Sequence, residues 1–232
     1  MAAKTVAIVQ SNYIPWKGYF DLIARCDEFI LFDDVQYTKR DWRNRNRIKT
    51  RHGVQWLSIP VNVSGRYFQA IKDVTIADAG WAETHWKTIA ANYARAPFFD
   101  QYREPIERLY REASDPSLSG VNRRFIVGLC GLLGIETRIT SSMDYGVIEG
   151  KTARLVELCR QAGASRYISG PSARSYIEPE LFEGAGIALE YMDYAGYKEY
   201  AQLYPPFEHA VSVVDVLFSV GPAAREHVIR RQ

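Results

Sequence analysis

Ile8-Val9-Gln10-Ser11-Asn12-Tyr13-Ile14-Pro15-Trp16-Lys17-Gly18-Tyr19-Phe20-Asp21-Leu22-Ile23 is the stretch on which the fold turns. It closes a short β-branched run, Thr5 to Val9, that reads as a buried strand. The strand stops at a polar, proline-containing turn and feeds a helix that starts near Lys17. Gln10, Asn12 and Tyr13 therefore put donors and acceptors just past the C-terminal end of a strand, the place where open α/β sheets bind ligands. The helix start adds unpaired backbone N–H groups and a positive dipole end, which suit phosphate or carboxylate. A plain tight turn built by Asn12 and Pro15 is the competing reading, and it does not call for so many polar and aromatic groups.

Outward from this turn, Gly18 to Cys26 carries helical periodicity and Phe29-Ile30-Leu31-Phe32 is a second continuous apolar run. Strand, helix and strand make a βαβ unit, parallel and right-handed. Asp33 and Asp34 close the second strand and converge on the same crevice as candidate proton-transfer groups. The segment from Gln36 to Arg51 is strongly basic, without apolar periodicity, and interleaves Tyr37 and Trp42 with Arg43, Asn44, Arg45 and Asn46. It reads as an anion-binding loop, since guanidinium groups take phosphate or carboxylate bidentately. A single-stranded nucleic-acid groove uses the same residue types. One short basic run in a chain of net charge +2 places that reading below small-anion binding.

Trp56 to Val61 and Ala70 to Ile76 alternate as strands around a Ser64-Gly65 turn, which predicts an antiparallel strand pair inserted over residues 54–78. A helical block over 81–134 follows. Its first helix runs from Trp81 to Ala96, its second from Phe98 to Ala113 with a kink or restart at Pro105, and Ser119 caps its third. His85 on the aromatic face of the first helix is either a hydrogen-bonded core residue or an acid–base catalyst. The last third returns to a helix–Gly–strand rhythm: a helix from Thr152 to Ala162, strands at Arg166–Ser169 and Ile187–Met192, and a short helix from Pro179 to Gly184. Ser169, Ser172 and Arg174 follow a strand and open at the same sheet edge, as a second anion cradle or as a simple helix start. The aromatic segment from Asp193 to His209, Tyr197 included, reads as a lid with hydroxyl handles. Asp215 in an apolar helix is a buried structural carboxylate or part of the site, and Ala223 to Arg231 is a solvated terminal helix with an exposed His227.

The bounds set by composition are broad. The 232 residues are 47% hydrophobic and read as one domain, 1–232, of class α/β: a mainly parallel, layered sheet with an antiparallel strand pair and a helical block. Cys26, Cys130 and Cys159 follow no metal or redox spacing and sit on apolar helix faces, and the four histidines are dispersed, so no metal site is expected. No run reaches the ~18 apolar residues of a membrane span and no signal peptide is visible, so a cytoplasmic location is expected.

Val9-Gln10-x-Asn12-Tyr13-x-Pro15-Trp16-x-Gly18-Tyr19-Phe20, Phe32-Asp33-Asp34-Val35-Gln36-Tyr37 and Arg43-Asn44-Arg45-Asn46 together resemble the WbqC-like family. The resemblance extends through Trp56-Leu57-x-Ile59-Pro60-Val61, His85-Trp86-x-x-Ile89, Tyr167-x-Ser169-Gly170-Pro171 and Ser212-Val213-Val214-Asp215, nearly the whole chain. It implies work on an unusual sugar in bacterial O-antigen or other surface-polysaccharide biosynthesis. The expected activity is a transferase that attaches an acyl or aminoacyl group, glycyl included, to a nucleotide-linked amino sugar. The expected partners are then a sugar nucleotide, a carrier of the acyl or aminoacyl donor, or ATP. A second, looser similarity is to the Rossmann-like nucleotidylyltransferase fold, which would make the chain a nucleotidyl-transfer or ATP-dependent ligating enzyme. Its signature histidines are missing, with Tyr13 and Tyr19 standing nearby instead, so that similarity implies the architecture rather than the usual adenylation. A non-catalytic sugar-nucleotide or nucleic-acid binding protein is the remaining alternative. In each reading Gln10, Asn12, Tyr13, Lys17, Tyr37, Arg43, Asn44, Asn46, Ser169, Ser172, Arg174 and Tyr197 are the candidate binding residues, with His85, Asp33 and Asp34 as the candidate catalytic groups.

Overall fold

The first strand, β1 (Thr5–Val9), is buried from Thr5 to Ile8 and lies at the centre of a five-stranded sheet. In the computed structural model, which describes residues 3–146 and 149–230, the helix α1 (Lys17–Ala24) returns the chain to β2 (Glu28–Leu31). The remaining sheet strands are β5 (Arg138–Ser141), β6 (Arg166–Ser169) and β7 (Ala188–Tyr191). Their order is β5-β2-β1-β6-β7, every pair parallel. The chain thus builds outward on one side of β1 and later crosses to build on the other. The strand order reverses between β1 and β6, and loops leaving these two strands diverge to opposite faces and leave a crevice.

Period-2 side chains sort the sheet into two cores. Ala7, Phe29 and Leu31 face a large core shared with α1, α2 (Trp81–Tyr93), α3 (Phe99–Arg111), α4 (Leu118–Leu132) and α7 (Val214–Val220). Val6, Ile8 and Ile30 face a smaller one, covered by α5 (Thr152–Gln161) and α6 (Pro179–Gly184) through Leu155, Leu158, Cys159 and Phe182. A sheet covered on both faces needs continuous apolar strands, which is why β1 and β2 show no polar alternation. All three cysteines are buried and unpaired, and burial pushes the Cys130 and Cys159 thiols up to about 12.

Several expectations change in the structure. The antiparallel pair is β3 (Arg45–Thr50) with β4 (Gly53–Ser58), not Trp56–Val61 with Ala70–Ile76. The basic run is a strand rather than a loop, hidden in the sequence because its inward positions are not all apolar: Asn46, Ile48 and Thr50 face in, while Arg45 and Arg47 face out. Arg51 and His52 turn the hairpin, and Gly53 takes the left-handed conformation (φ 101°) that the turn demands. Ala70–Ile76 instead forms a 3-10 turn at Ile71–Asp73, held by single bridges from Gln36 to Ala70 and Val61 to Ile76. Ser117, not Ser119, caps α4 by accepting from the Gly120 N–H at 3.2 Å. α3 runs unbroken through Pro105. The terminal helix α8 is shorter, Ala224–Val228, and buries Ala224 and Val228; Arg231 lies outside the described residues.

Ser119 has other work. Its hydroxyl donates to Asp33 Oδ2, while the Ser11 N–H donates to Asp33 Oδ1 at 2.8 Å. One fully buried carboxylate thereby ties the exit of β1, the exit of β2 and the first turn of α4. Asp33→Asn keeps the size but turns an NH2 group towards a donor. The expected cost is about 1–3 kcal/mol in denaturant unfolding; an unchanged midpoint would show that the carboxylate does not hold these exits together.

Candidate functional site

At the reversal of strand order lies a cleft of about 520 Å³, within the range of small-molecule sites. Its floor is the end of β1 (Ile8, Val9, Gln10). Phe32 and Val35 follow β2, Ser169 and Gly170 follow β6, and Gly150, Lys151 and Arg154 come from the start of α5. Trp16, Tyr19, Tyr176 and Tyr194 supply rings to the walls. A second hollow of about 660 Å³ lies on the helical block, lined by Glu83, Glu107 and Asp115, away from the strand ends.

Two neighbouring facts shape the aromatic wall. The Trp16 indole folds over the start of α1 so closely that a Cβ at Gly18 would sit 2.3 Å from it; only glycine admits that approach. Tyr194 meets the same indole edge-on, with centroids 5.2 Å apart. Burial raises the pKa of Tyr19, and that of Tyr194 to about 12, so both phenols stay protonated near neutral pH and act as donors.

The cationic wall has a distinct logic. Lys151 and Arg154 sit at the amino end of α5, where the helix dipole disfavours positive charge. Arg154 is held there by Asp34 Oδ2, and Asp34 Oδ1 accepts from the Ser142 hydroxyl at 2.6 Å. The guanidinium lies 5.0 Å from the Phe32 ring, and its Nε is buried without a protein acceptor among the described residues. Outside this lining, Arg43 donates to Asn12 Oδ1 and, at 3.5 Å, to the Gln10 carbonyl, and its charge acts on Tyr19 and Tyr176.

The structure brings only part of the sequence-derived set together. Gln10, Ser169 and Ser172 line the cleft, Asp34 reaches it through Arg154, and Arg43 adjoins it by donating to the Gln10 carbonyl and to Asn12. Arg174 is exposed and stacks 4.2 Å from the Tyr191 ring. Tyr13, Tyr37, Asn44 and Asn46 lie elsewhere. Asn46 Nδ2 donates to the Tyr13 and Ile14 carbonyls, both at 3.0 Å, and Asn44 accepts from the Tyr37 hydroxyl at 2.8 Å and donates to Ile59 O at 2.8 Å. Asn46 fastens the β3–β4 hairpin to the turn after β1, and Asn44 closes the open end of the hairpin and ties it to Tyr37 after β2. Asp33, as shown above, has both oxygens engaged.

His85 sits in the core of the helical block. The Tyr13 hydroxyl lies 2.9 Å from its Nδ1 and 2.8 Å from the Tyr110 hydroxyl, between Trp81 and Phe125. Burial lowers its pKa to about 4, against the opposing effect of a hydrogen bond with the Ser58 backbone. The aromatic segment is strapped down rather than poised as a lid: Tyr197 donates to Asp21 at 2.8 Å, Tyr200 to Asp215 at 2.6 Å, and Tyr204 to Asn92 O at 3.2 Å. Asp215 is fully buried and also accepts from Tyr93 at 2.8 Å and Gln202 at 2.9 Å, a structural set. Lys17 is buried beneath the strap, its Nζ 5.1 to 5.5 Å from the Tyr197, Tyr200 and Phe207 rings, and burial lowers its pKa to about 8. His227 is half-buried against Tyr200 rather than exposed.

Sequence reasoning missed Arg154, Lys151, Tyr176 and Tyr194. A signal for the first two existed: two cations at the amino end of an amphipathic helix run against the dipole, a placement that needs a carboxylate or a ligand to hold it. Among the described residues no group of three or more His, Cys, Asp or Glu side chains is placed to hold a metal ion, and no helix is long and apolar enough to cross a membrane.

Comparison with known proteins adds the family. The sequence pattern of the WbqC-like protein family matches residues 10–227. The chain belongs to the WbqC-like family. It is also 51% identical over 225 residues to a protein of Mycobacterium tuberculosis (strain ATCC 25618 / H37Rv) named "Uncharacterized protein Rv1507c", an alignment covering 97% of each chain. No solved structure matches. In this WbqC-like chain the two sequence motifs that open the family match, 10–20 and 32–37, meet at the cleft rim and at Asp33.

The environment of His85 makes a direct prediction. Its folded-state pKa lies below the unfolded value of about 6.5, so the stability tied to neutral His85 is present above that pH and is lost as pH falls towards 4. In proton NMR its ring signals should stay flat from about pH 8 to 5; a midpoint near 6.5 would return His85 to the list of acid–base candidates.

Proposed function

We propose that this WbqC-like protein is a transferase that attaches an acyl or aminoacyl group to a nucleotide-linked amino sugar bound in the cleft between β1 and β6. The observation that carries the reading is the cleft's two-sided chemistry. Cations at the start of α5 share the cleft with the rings of Trp16, Tyr176 and Tyr194. A nucleotide sugar has the matching halves, a charged pyrophosphate and flat or ring-shaped groups on either side of it. Resemblance to proteins of surface-polysaccharide biosynthesis supports the same substrate class and suggests the making of an unusual amino sugar for such a polymer.

In this reading Arg154 and Lys151 neutralise the pyrophosphate, with Arg43 adding charge beside Gln10. The Tyr176 and Tyr194 hydroxyls, held protonated by burial, donate to sugar oxygens. The sugar amine attacks the carbonyl carbon of the activated donor, the new C–N amide bond forms, and the bond from that carbon to the donor's leaving group breaks. The amine proton leaves on the donor's leaving group, and Asp34, its oxygens engaged by Arg154 and Ser142, positions the cation.

Incubation with a panel of dTDP-linked amino sugars and acyl-CoA or aminoacyl donors, read by mass spectrometry, should yield the N-acylated sugar nucleotide. Arg154→Ala should weaken dTDP-sugar binding about tenfold or more, the worth of a charge-assisted contact to phosphate. Wild-type affinity in that variant, with no product across the panel, would rule the reading out.

A further inference from the structure

The basic segment that sequence reasoning assigned to a small anion has a different outcome in three dimensions. Pairing of β3 with β4 puts Arg47 opposite Trp56 and Arg45 opposite Ser58 on the outer face of the hairpin. Trp42, just before β3, lies beside Trp56 with centroids 5.3 Å apart and planes tilted by 35°. Arg45 lies 4.2 Å from the Trp56 ring, and Arg47 is 5.8 and 5.7 Å from the Trp42 and Trp56 rings. Both indoles remain exposed, 38% and 42%. None of these four side chains lines the cleft.

We propose that this outer face is a platform for single-stranded nucleic acid, a binding site separate from the cleft. Two tryptophans left half in water cost hydrophobic free energy that a folded chain ordinarily avoids by turning them inward. Alternating flat rings and guanidinium planes provide stacking surfaces for successive bases, with charge for the phosphates between them. Charge complementarity points to a polyanion. Of the seven basic residues from Lys39 to Arg51, Arg45 and Arg47 lie on this face and Lys39, Arg40 and Arg51 are exposed, whereas Lys49 is buried and Arg43 turns to Asn12. Arg45 and Arg47 have no carboxylate partner among the described residues, and the Arg45 Nε is buried without an acceptor. Arg47 is pre-set, because its Nε already donates to the Ala210 carbonyl at 3.0 Å. An acidic protein surface would satisfy the charge but not the exposed rings, and a duplex would hide its bases from them.

The test is fluorescence anisotropy with a labelled oligouridylate of about 12 nucleotides, a length that spans a typical single-strand site. The intact chain should bind it, with affinity falling steeply as salt rises, and with quenching of tryptophan emission. Trp42→Ala with Trp56→Ala should lose affinity about tenfold or more while leaving dTDP binding in the cleft unchanged, which separates this site from the transferase reading. Arg45→Lys with Arg47→Lys keeps the charge and removes the planar groups, and it should weaken binding in the same direction. Circular dichroism confirms that each variant folds. No binding at low salt would overturn the proposal. So would unchanged affinity in both double variants, or equal displacement by poly-glutamate, which would leave a merely charged surface.

Discussion

The buried carboxylate of Asp33 is the constraint from which the rest follows. It accepts one hydrogen bond from the backbone leaving β1 and one from a hydroxyl on α4, while sitting at the exit of β2. A fully buried charge is costly unless such donors meet it, and meeting it fixes three chain segments at one point. Ser11, tied to Asp33 through its N–H, accepts through its hydroxyl from Asn122, which also donates to the Arg43 carbonyl. The turn after β1, the hairpin approach and the helical block are thus held in one hydrogen-bonded frame. The cleft is the open side of that frame.

Parallel topology does the remainder. All five strands point their C-terminal ends the same way, and the reversal of order between β1 and β6 separates the loops there. What fills the gap is set locally. Trp16 folds onto Gly18, Tyr194 is brought in by a strap whose other tyrosines are anchored to Asp21 and Asp215, and Arg154 is held against the α5 dipole by Asp34. The cleft therefore combines rigid rings with a cation that has one unfilled N–H, an arrangement suited to a charged ligand bearing flat groups.

Much of this was legible in the residues. The runs at 5–9 and 29–32 announce buried parallel strands, the second one residue out of step with β2, and the helix–glycine–strand rhythm of the last third places β6, α6 and β7 almost to the residue. Gln10, Ser169 and Ser172 follow from that placement, since residues after parallel strands must share one edge. The hairpin was not legible because buried Asn46 and exposed Trp56 invert the usual alternation of apolar in, polar out. His85, Asn44, Asn46 and Tyr13 carry the marks of chemistry in sequence, yet in the fold they satisfy one another or the backbone; only tertiary partners reveal that. Arg154 was hidden by distance, 120 residues from the Asp34 that holds it.

A structure of the protein soaked with a dTDP-linked amino sugar tests the central claim most directly. The account predicts density between β1 and β6, with the pyrophosphate against Arg154 and Lys151 and a ring against Trp16 or Tyr176. A sugar nucleotide seated elsewhere, on the β3–β4 face or in the hollow of the helical block, with the β1–β6 cleft empty, would contradict it.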